Sequence, residues 1–290
     1  MRGAEALRGK GEAAGTKIIG FLGGDARMAR LAKMMEKDGY TVYSWGLSDA
    51  PGATRPSEAA GADRVVLPIP LEKDGRLNGT TLPLGELWPR LGTERPVYAG
   101  AVAEEARRQA ETMGVRLIDY FADEALTVRN AVPTAEGALA AAMERLAVTL
   151  HGAPCLVLGF GRIGKLLAHD LAALGAQVSV SARRFDDFAW IDTLGYTPLH
   201  TGRLAGKLGA FRVIFNTVPH PVLDETLLRE VRSDCVLIEL ASRPGIDAAA
   251  AQRLGLPYER AAGLPGKVAP ETAAQAIKET LYRLWEEEEP

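Results

Sequence analysis

Short apolar runs alternate with amphipathic stretches along this chain, and the pattern is played out twice. In the first half, apolar runs at 17–23, 41–45, 64–69, 97–99 and 115–121 read as strands. Amphipathic stretches at 27–37 and 104–113 read as helices, stopped by Gly39 and Gly114. The polar, turn-rich segment 71–81 reads as a loop. In the second half, strands are expected at 155–159, 177–181, 213–217, 235–240 and 257–260, with a further short one leading to His200. Helices are expected between them at 163–174, 186–194, 223–231 and 248–254. Near-continuous apolar strands separated by helices predict parallel sheets buried on both faces. The expected fold is therefore α/β, with two doubly wound parallel-sheet domains joined by long helices at 135–150 and 271–287. In the second of these helices Ala273, Ile277, Leu281 and Leu284 recur at helical spacing. That stripe predicts a last helix that packs back on the first domain, leaving two connectors around a hinged cleft. The expected division is a substrate and partner domain at 17–133 plus 271–290, and a nucleotide domain with its linker helix at 134–270. Residues 1–16 hold charges and glycines without an apolar signal core, and are expected to form a disordered tail. The acid run 286–289 reads as solvated.

One strand ending carries most of the chemistry. The apolar run from Pro154 ends in Gly159, Gly161 and Gly164, and passes directly into a helical pattern. This is the strand–turn–helix context of a dinucleotide-binding, Rossmann-like site. Gly159 permits the tight turn, Gly161 admits the backbone to a pyrophosphate, and Gly164 lets the helix pack close. Arg162 and Ile163 then place their N–H groups at the helix N-terminus, where phosphate binds. The second strand of such a site normally ends in Asp or Glu for a ribose 2′-OH. Here the corresponding place holds Ala182, Arg183 and Arg184, with no acid before Asp186. Two guanidinium groups suit a 2′-phosphate and favour NADP(H); the alternative is that they are merely a solvated helix start.

Further candidates lie in the loops after other strands. Asn216, Thr217, Val218 and Pro219 are expected beside the cofactor, together with Ala241. Ser242 and Arg243 follow, and Arg243 offers a cation to a substrate. Gly263, Leu264, Pro265 and Gly266 are expected to form a substrate loop leading to the last helix. In the first half, Asp25 reads as a helix N-cap and Arg27 as a substrate cation. Thr134 reads as the N-cap of the linker helix, whose first amides would hold a carboxylate. Glu136 is the candidate general base, or it favours the helix dipole only.

Composition narrows the classes. The chain has 290 residues, 47% hydrophobic and 24% charged, enough for two cores. A net charge of −3 provides no global field for nucleic acid or anionic membrane. No apolar run is long enough to span a bilayer. The two cysteines, Cys155 and Cys235, lie in apolar runs and read as small core residues. The four histidines are scattered and form no zinc-type constellation.

With these loops assembled, the chain resembles the A subunits of dipicolinate synthase from spore-forming bacteria. The resemblance covers about residues 17–285. It rests on the motifs at 23–27, 133–137, 159–164, 216–219, 240–245 and 263–270, in that order. The family often has a second glycine where this chain has Ile246. The resemblance implies NADP-dependent oxidation of a dihydrodipicolinate-type precursor, a small dicarboxylate, to dipicolinic acid. It also implies a partner, the flavoprotein B subunit, together with a homo-oligomer and the cytoplasm of the sporulating mother cell. Two rivals remain. A 2-hydroxy-acid dehydrogenase would share the two-domain plan and need a His paired with a carboxylate, with His200 and His220 as candidates. A non-catalytic nucleotide-binding subunit would bind cofactor and dock.

Overall fold

In a computed structural model, residues 17–288 are described; the expected tail at 1–16 lies outside them. The chain divides into two compact units. One runs to Leu126 and takes up the chain again from Ala274, and the other spans Thr127–Ala273.

The first unit opens with β1 (Ile18–Leu22), α1 (Ala26–Lys37), β2 (Thr41–Trp45), α2 (Pro56–Ala60) and β3 (Arg64–Val66). A small hairpin follows, β4 (Glu72–Lys73) and β5 (Arg76–Leu77), then α3 (Leu84–Leu87). The unit continues with β6 (Val97–Ala99), α4 (Glu104–Thr112) and β7 (Leu117–Asp119). Its main sheet is parallel, in the order β2-β1-β3-β6-β7. Strand order thus reverses direction between β1 and β3, which is where ligands approach such sheets.

Helix α5 (Glu124–Arg145) leads into the second unit. There β8 (Pro154–Leu158), α6 (Arg162–Ala173), β9 (Gln177–Ala182), α7 (Phe185–Thr193) and β10 (Thr197–His200) form one half. The other half is β11 (Val213–Asn216), α8 (Glu225–Leu228), β12 (Val236–Glu239), α9 (Ala248–Arg253) and β13 (Tyr258–Arg260). Then come α10 (Leu264–Val268) and α11 (Pro270–Glu288). The six-stranded sheet has the order β10-β9-β8-β11-β12-β13. That is the 3-2-1-4-5-6 order of dinucleotide-binding sheets, with its switch point between β8 and β11. Both faces of the sheet are covered. Cys155, Val157, Val180 and Phe215 lie in one cluster, and Leu156, Leu158, Ile214 and Leu237 in another.

Several elements differ from expectation for identifiable reasons. The linker helix starts at Glu124, so Pro133 lies inside it instead of at its first turn. Pro133 and Thr134 imitate a helix start, but burial of Ala131, Ala135, Ala138 and Ala142 carries the helix straight through. The segment read as a loop at 71–81 contains the β4–β5 hairpin, anchored by buried Leu71 and Leu77. Those apolar anchors are too widely spaced to announce strands. The helix expected at 223–231 shrinks to Glu225–Leu228, because Leu223 bridges to Ile246 and Asp224 caps the turn.

Helix α11 puts Ala274, Ile277, Leu281 and Trp285 into the core of the first unit. Trp285, not Leu284, completes the buried stripe; it packs edge-on to Tyr98, and Arg64 lies 4.3 Å above its ring. Nor is the acid run wholly solvated: Glu288 accepts hydrogen bonds from Tyr98 Oη and Arg116 Nη2.

Cys155 and Cys235 are free and buried, and burial pushes both thiols up to about 12. Neither is a thiolate near neutrality, so neither is a nucleophile in the folded protein. Native protein at about pH 8 should leave an aromatic disulfide reagent unconsumed for minutes, while denatured protein consumes two equivalents. A fast equivalent from native protein would contradict this placement.

Candidate functional site

The site is built from strand ends of the second unit. Gly159 closes β8 at φ +98°, a conformation that suits glycine. A Cβ there would stand 2.5 Å from Thr217 Oγ1 and 2.9 Å from Val218 Cγ2. Thr217 Oγ1 in turn donates to Leu158 O, which ties the loop after β11 to the end of β8. At Gly164 a Cβ would sit 2.2 Å from Gly159 O, so α6 lies tight against the turn. Gly161 is the N-cap of α6 and offers no side chain to its first turn. A Cβ at Gly161 would meet nothing within 4 Å, so the approach to this helix end is open. The first N–H groups of a helix have no intrahelical acceptor and attract anions.

At the end of β9, Ala182 is buried while Arg183 and Arg184 are exposed. Ser181 Oγ accepts from Thr201 Oγ1, which holds the ends of β9 and β10 together beneath them. Arg184 is the N-cap residue of α7 and pairs at 3.0 Å with Asp186. This exposed pair is a weak one. His200 ends β10, its Nδ1 accepting from Gly202 N–H and its ring tilted against Phe188. Among the described residues neither His200 nor His220 has a carboxylate partner.

On the other side of β8, the loops are governed by a residue that the sequence motifs do not single out. Glu239, at the end of β12, is only 1% exposed. Its Oε1 accepts from Asn216 Nδ2 at 2.9 Å and from Ala241 N–H at 2.9 Å. Its Oε2 accepts from Asn216 Nδ2 at 3.1 Å, Gly245 N–H at 2.8 Å and Ile246 N–H at 3.0 Å. The Asn216 carboxamide is spent as well, because Nδ2 also donates to Val218 O and Oδ1 accepts from Val218 N–H. Asn216 is therefore a loop fastener instead of the expected cofactor contact, and the Ala241 N–H is likewise used inside. Of the residues expected to contact ligand here, Pro219, Ser242 and Arg243 are exposed. Ile246, which stands where a second glycine is common, is buried and keeps an ordinary backbone. One signal was present in the sequence: a lone carboxylate, Glu239, interrupts the otherwise apolar run 235–240.

Other expected residues take structural roles. Thr134 lies mid-helix, where its Oγ1 donates to Asn130 O, so no exposed helix start exists there to hold a carboxylate. Glu136 is exposed on the same helix. Gly263 adopts a left-handed conformation and starts α10, but Leu264, Pro265 and Gly266 are buried. Leu264 packs against Gly137, where a Cβ would approach it to 3.0 Å, while Gly263 stays exposed.

In the first unit, Asp25 caps α1 as expected, accepting from Arg27 N–H. The Asp25 carboxylate also takes Arg27 Nε and Nη2, and Arg27 Nη2 donates to Ile69 O at 2.6 Å. Arg27 is 4% exposed. It thus ties the loop after β1 to the chain after β3 across the switch point, instead of presenting a free fork. On the same sheet, Asp119 at the end of β7 accepts from Ala101 and Val102 N–H, holding Ala101 at φ 51°.

The glycines give a paired test. Gly164→Ala forces α6 off the turn and should cost about 1–3 kcal/mol, seen as a lowered Tm. Gly161→Ala enters open space and should leave the melting temperature within about 2 °C. Equal melting of both variants would contradict this packing.

Comparison with known proteins follows the same geometry. Residues 18–121 match the family model of the N-terminal domain of the dipicolinate synthase A subunit. The A subunit of dipicolinate synthase from Bacillus subtilis (strain 168) is 35% identical over 188 residues, which cover 64% of this chain and 61% of that protein. The aligned region therefore spans about three fifths of that relative. A crystal structure of the dipicolinate synthase A subunit from Bacillus halodurans superposes with a TM-score of 0.83 at 29% identity, covering 92% of this chain and 97% of the other. An L-alanine dehydrogenase shares the fold alone, with a TM-score of 0.64 at 16% identity, covering 91% and 88%. In sequence over these 188 residues, in the family match at 18–121, and in fold over most of its length, the chain resembles the A subunit of dipicolinate synthase.

Proposed function

We propose that this chain is an NADP-dependent dehydrogenase that oxidises a dihydrodipicolinate-type precursor to dipicolinic acid, serving sporulation. One observation carries the reading: the Gly159–Gly161 turn opens onto α6, and the neighbouring strand ends in Arg183 and Arg184 instead of a carboxylate. The residues fit the group. A pyrophosphate would meet the amides of the first turn of α6 over an unobstructed Gly161. A 2′-phosphate would exchange the weak, exposed Asp186 pairing of Arg184 for a doubly charged partner, with Arg183 beside it. The dehydrogenase names of the fold neighbours support a nicotinamide cofactor.

The bound nicotinamide would supply the hydride acceptor, while the precursor ring loses a proton and becomes aromatic. The chain's own part is to hold and orient the ring. Arg243, exposed after β12, is assigned to a substrate carboxylate, with Ser242 beside it. Glu136, exposed on α5, is assigned to the proton. The relatives are named as A subunits, which supports a partner chain. The flavoprotein B subunit is the proposed one.

Purified protein given NADP+ and freshly generated precursor should form dipicolinate and NADPH together, followed by ultraviolet absorbance. Product only with the flavoprotein present would move the redox step to the partner. The variant Arg183→Ala with Arg184→Ala should weaken NADPH about 10- to 100-fold, while NADH changes by less than about threefold. Equal losses for the two cofactors would remove the 2′-phosphate assignment.

A further inference from the structure

We propose that Glu239 is a positioning residue for the nicotinamide half of the cofactor, because its carboxylate locks the loops after β11 and β12 into one rigid edge. This rests on the nucleotide-binding reading above. In the second sheet the Gly159 turn follows β8, and Arg183 and Arg184 mark the β9 side as the one that takes the adenosine phosphate. The edge formed by β11 and β12 lies on the opposite side of β8, and is left for the nicotinamide and its ribose.

Both loops on that edge converge on one carboxylate. Oε1 holds Asn216 Nδ2 and Ala241 N–H, while Oε2 holds Asn216 Nδ2 and the N–H groups of Gly245 and Ile246. Every partner is a donor, so the group must accept at both oxygens. Only a carboxylate does this; an amide turns an NH2 toward one set of donors. The close fit of Gly245 fixes the same arrangement. A Cβ there would stand 2.5 Å from Asn216 Nδ2, 2.6 Å from His220 O and 2.7 Å from Val218 O. The loops are also joined through their backbones, since Val222 and Leu223 N–H donate to Gly245 O. Exposed Ser242 and Arg243 lie between Ala241 and Gly245, whose N–H groups Glu239 accepts, and exposed Pro219 follows the turn that Asn216 holds for it. Loss of the carboxylate would therefore loosen one half of the cofactor site and spare the other.

The test compares two probes, NADPH and adenosine 2′,5′-bisphosphate, on the full chain and on Glu239→Gln. A second variant, Glu239→Asp, keeps the charge but shortens its reach, and carries the test if the Gln variant does not fold. The proposal expects NADPH to weaken about tenfold or more, with the adenosine bisphosphate held within about twofold. Backbone amide exchange without nucleotide should rise at 241–246 and stay unchanged in β8. Equal losses for both probes would reduce Glu239 to a general stability role and overturn the proposal. Unchanged NADPH affinity, or unchanged exchange at 241–246, would overturn it as well. If the unaltered protein binds neither probe, the nucleotide reading itself falls, and the positioning role with it.

Discussion

A parallel sheet covered on both faces leaves its strand ends as the places where polar chemistry can stand. The backbone N–H and C=O groups of the inner strands are committed to the ladder, and the side chains beside them are committed to packing. Loops at the carboxyl ends must then fold back over the sheet edge with their own polar groups satisfied. In this protein acidic side chains at strand ends do much of that work. Asp119 ends β7 and gathers the amides of the loop after β6. Glu239 ends β12 and gathers loops from two strands. Asp25 fixes Arg27, which reaches across the first switch point to Ile69 O.

This division of labour explains why charged residues near the strand ends split into two populations. Arg27, Asp119 and Glu239 are buried or shielded and spend their charge within the fold. Arg183, Arg184 and Arg243 are exposed and uncommitted, or committed only to a weak surface pair. A rigid inner set holds the loops, and an outer set presents itself to ligands. Under the proposed function, the first set would supply the preorganisation that redox chemistry requires, and the second the charge recognition.

The strands and most helices were legible because their signal is local: apolar runs, helical spacing and glycine stops. The Gly159, Gly161 and Gly164 turn was legible because each glycine answers a separate steric demand at a fixed spacing. Thr134 was not, since Pro133 looks the same inside a buried helix as at the head of an exposed one; tertiary burial decided it. Leu264 sits in a loop-like composition yet packs against Gly137, a contact that no neighbouring residue announces. Glu239 stayed hidden for a similar reason. Its partners lie up to 23 residues away, and only the folded strand order brings them to one carboxylate.

A crystal structure of the full chain with NADP+ would test the central claim most directly. The account predicts the pyrophosphate over Gly161 at the start of α6, the 2′-phosphate between Arg183 and Arg184, and the nicotinamide over the edge that Glu239 holds. A dinucleotide bound at the first unit instead, or one on the second unit whose 2′-phosphate avoids both arginines, would contradict it.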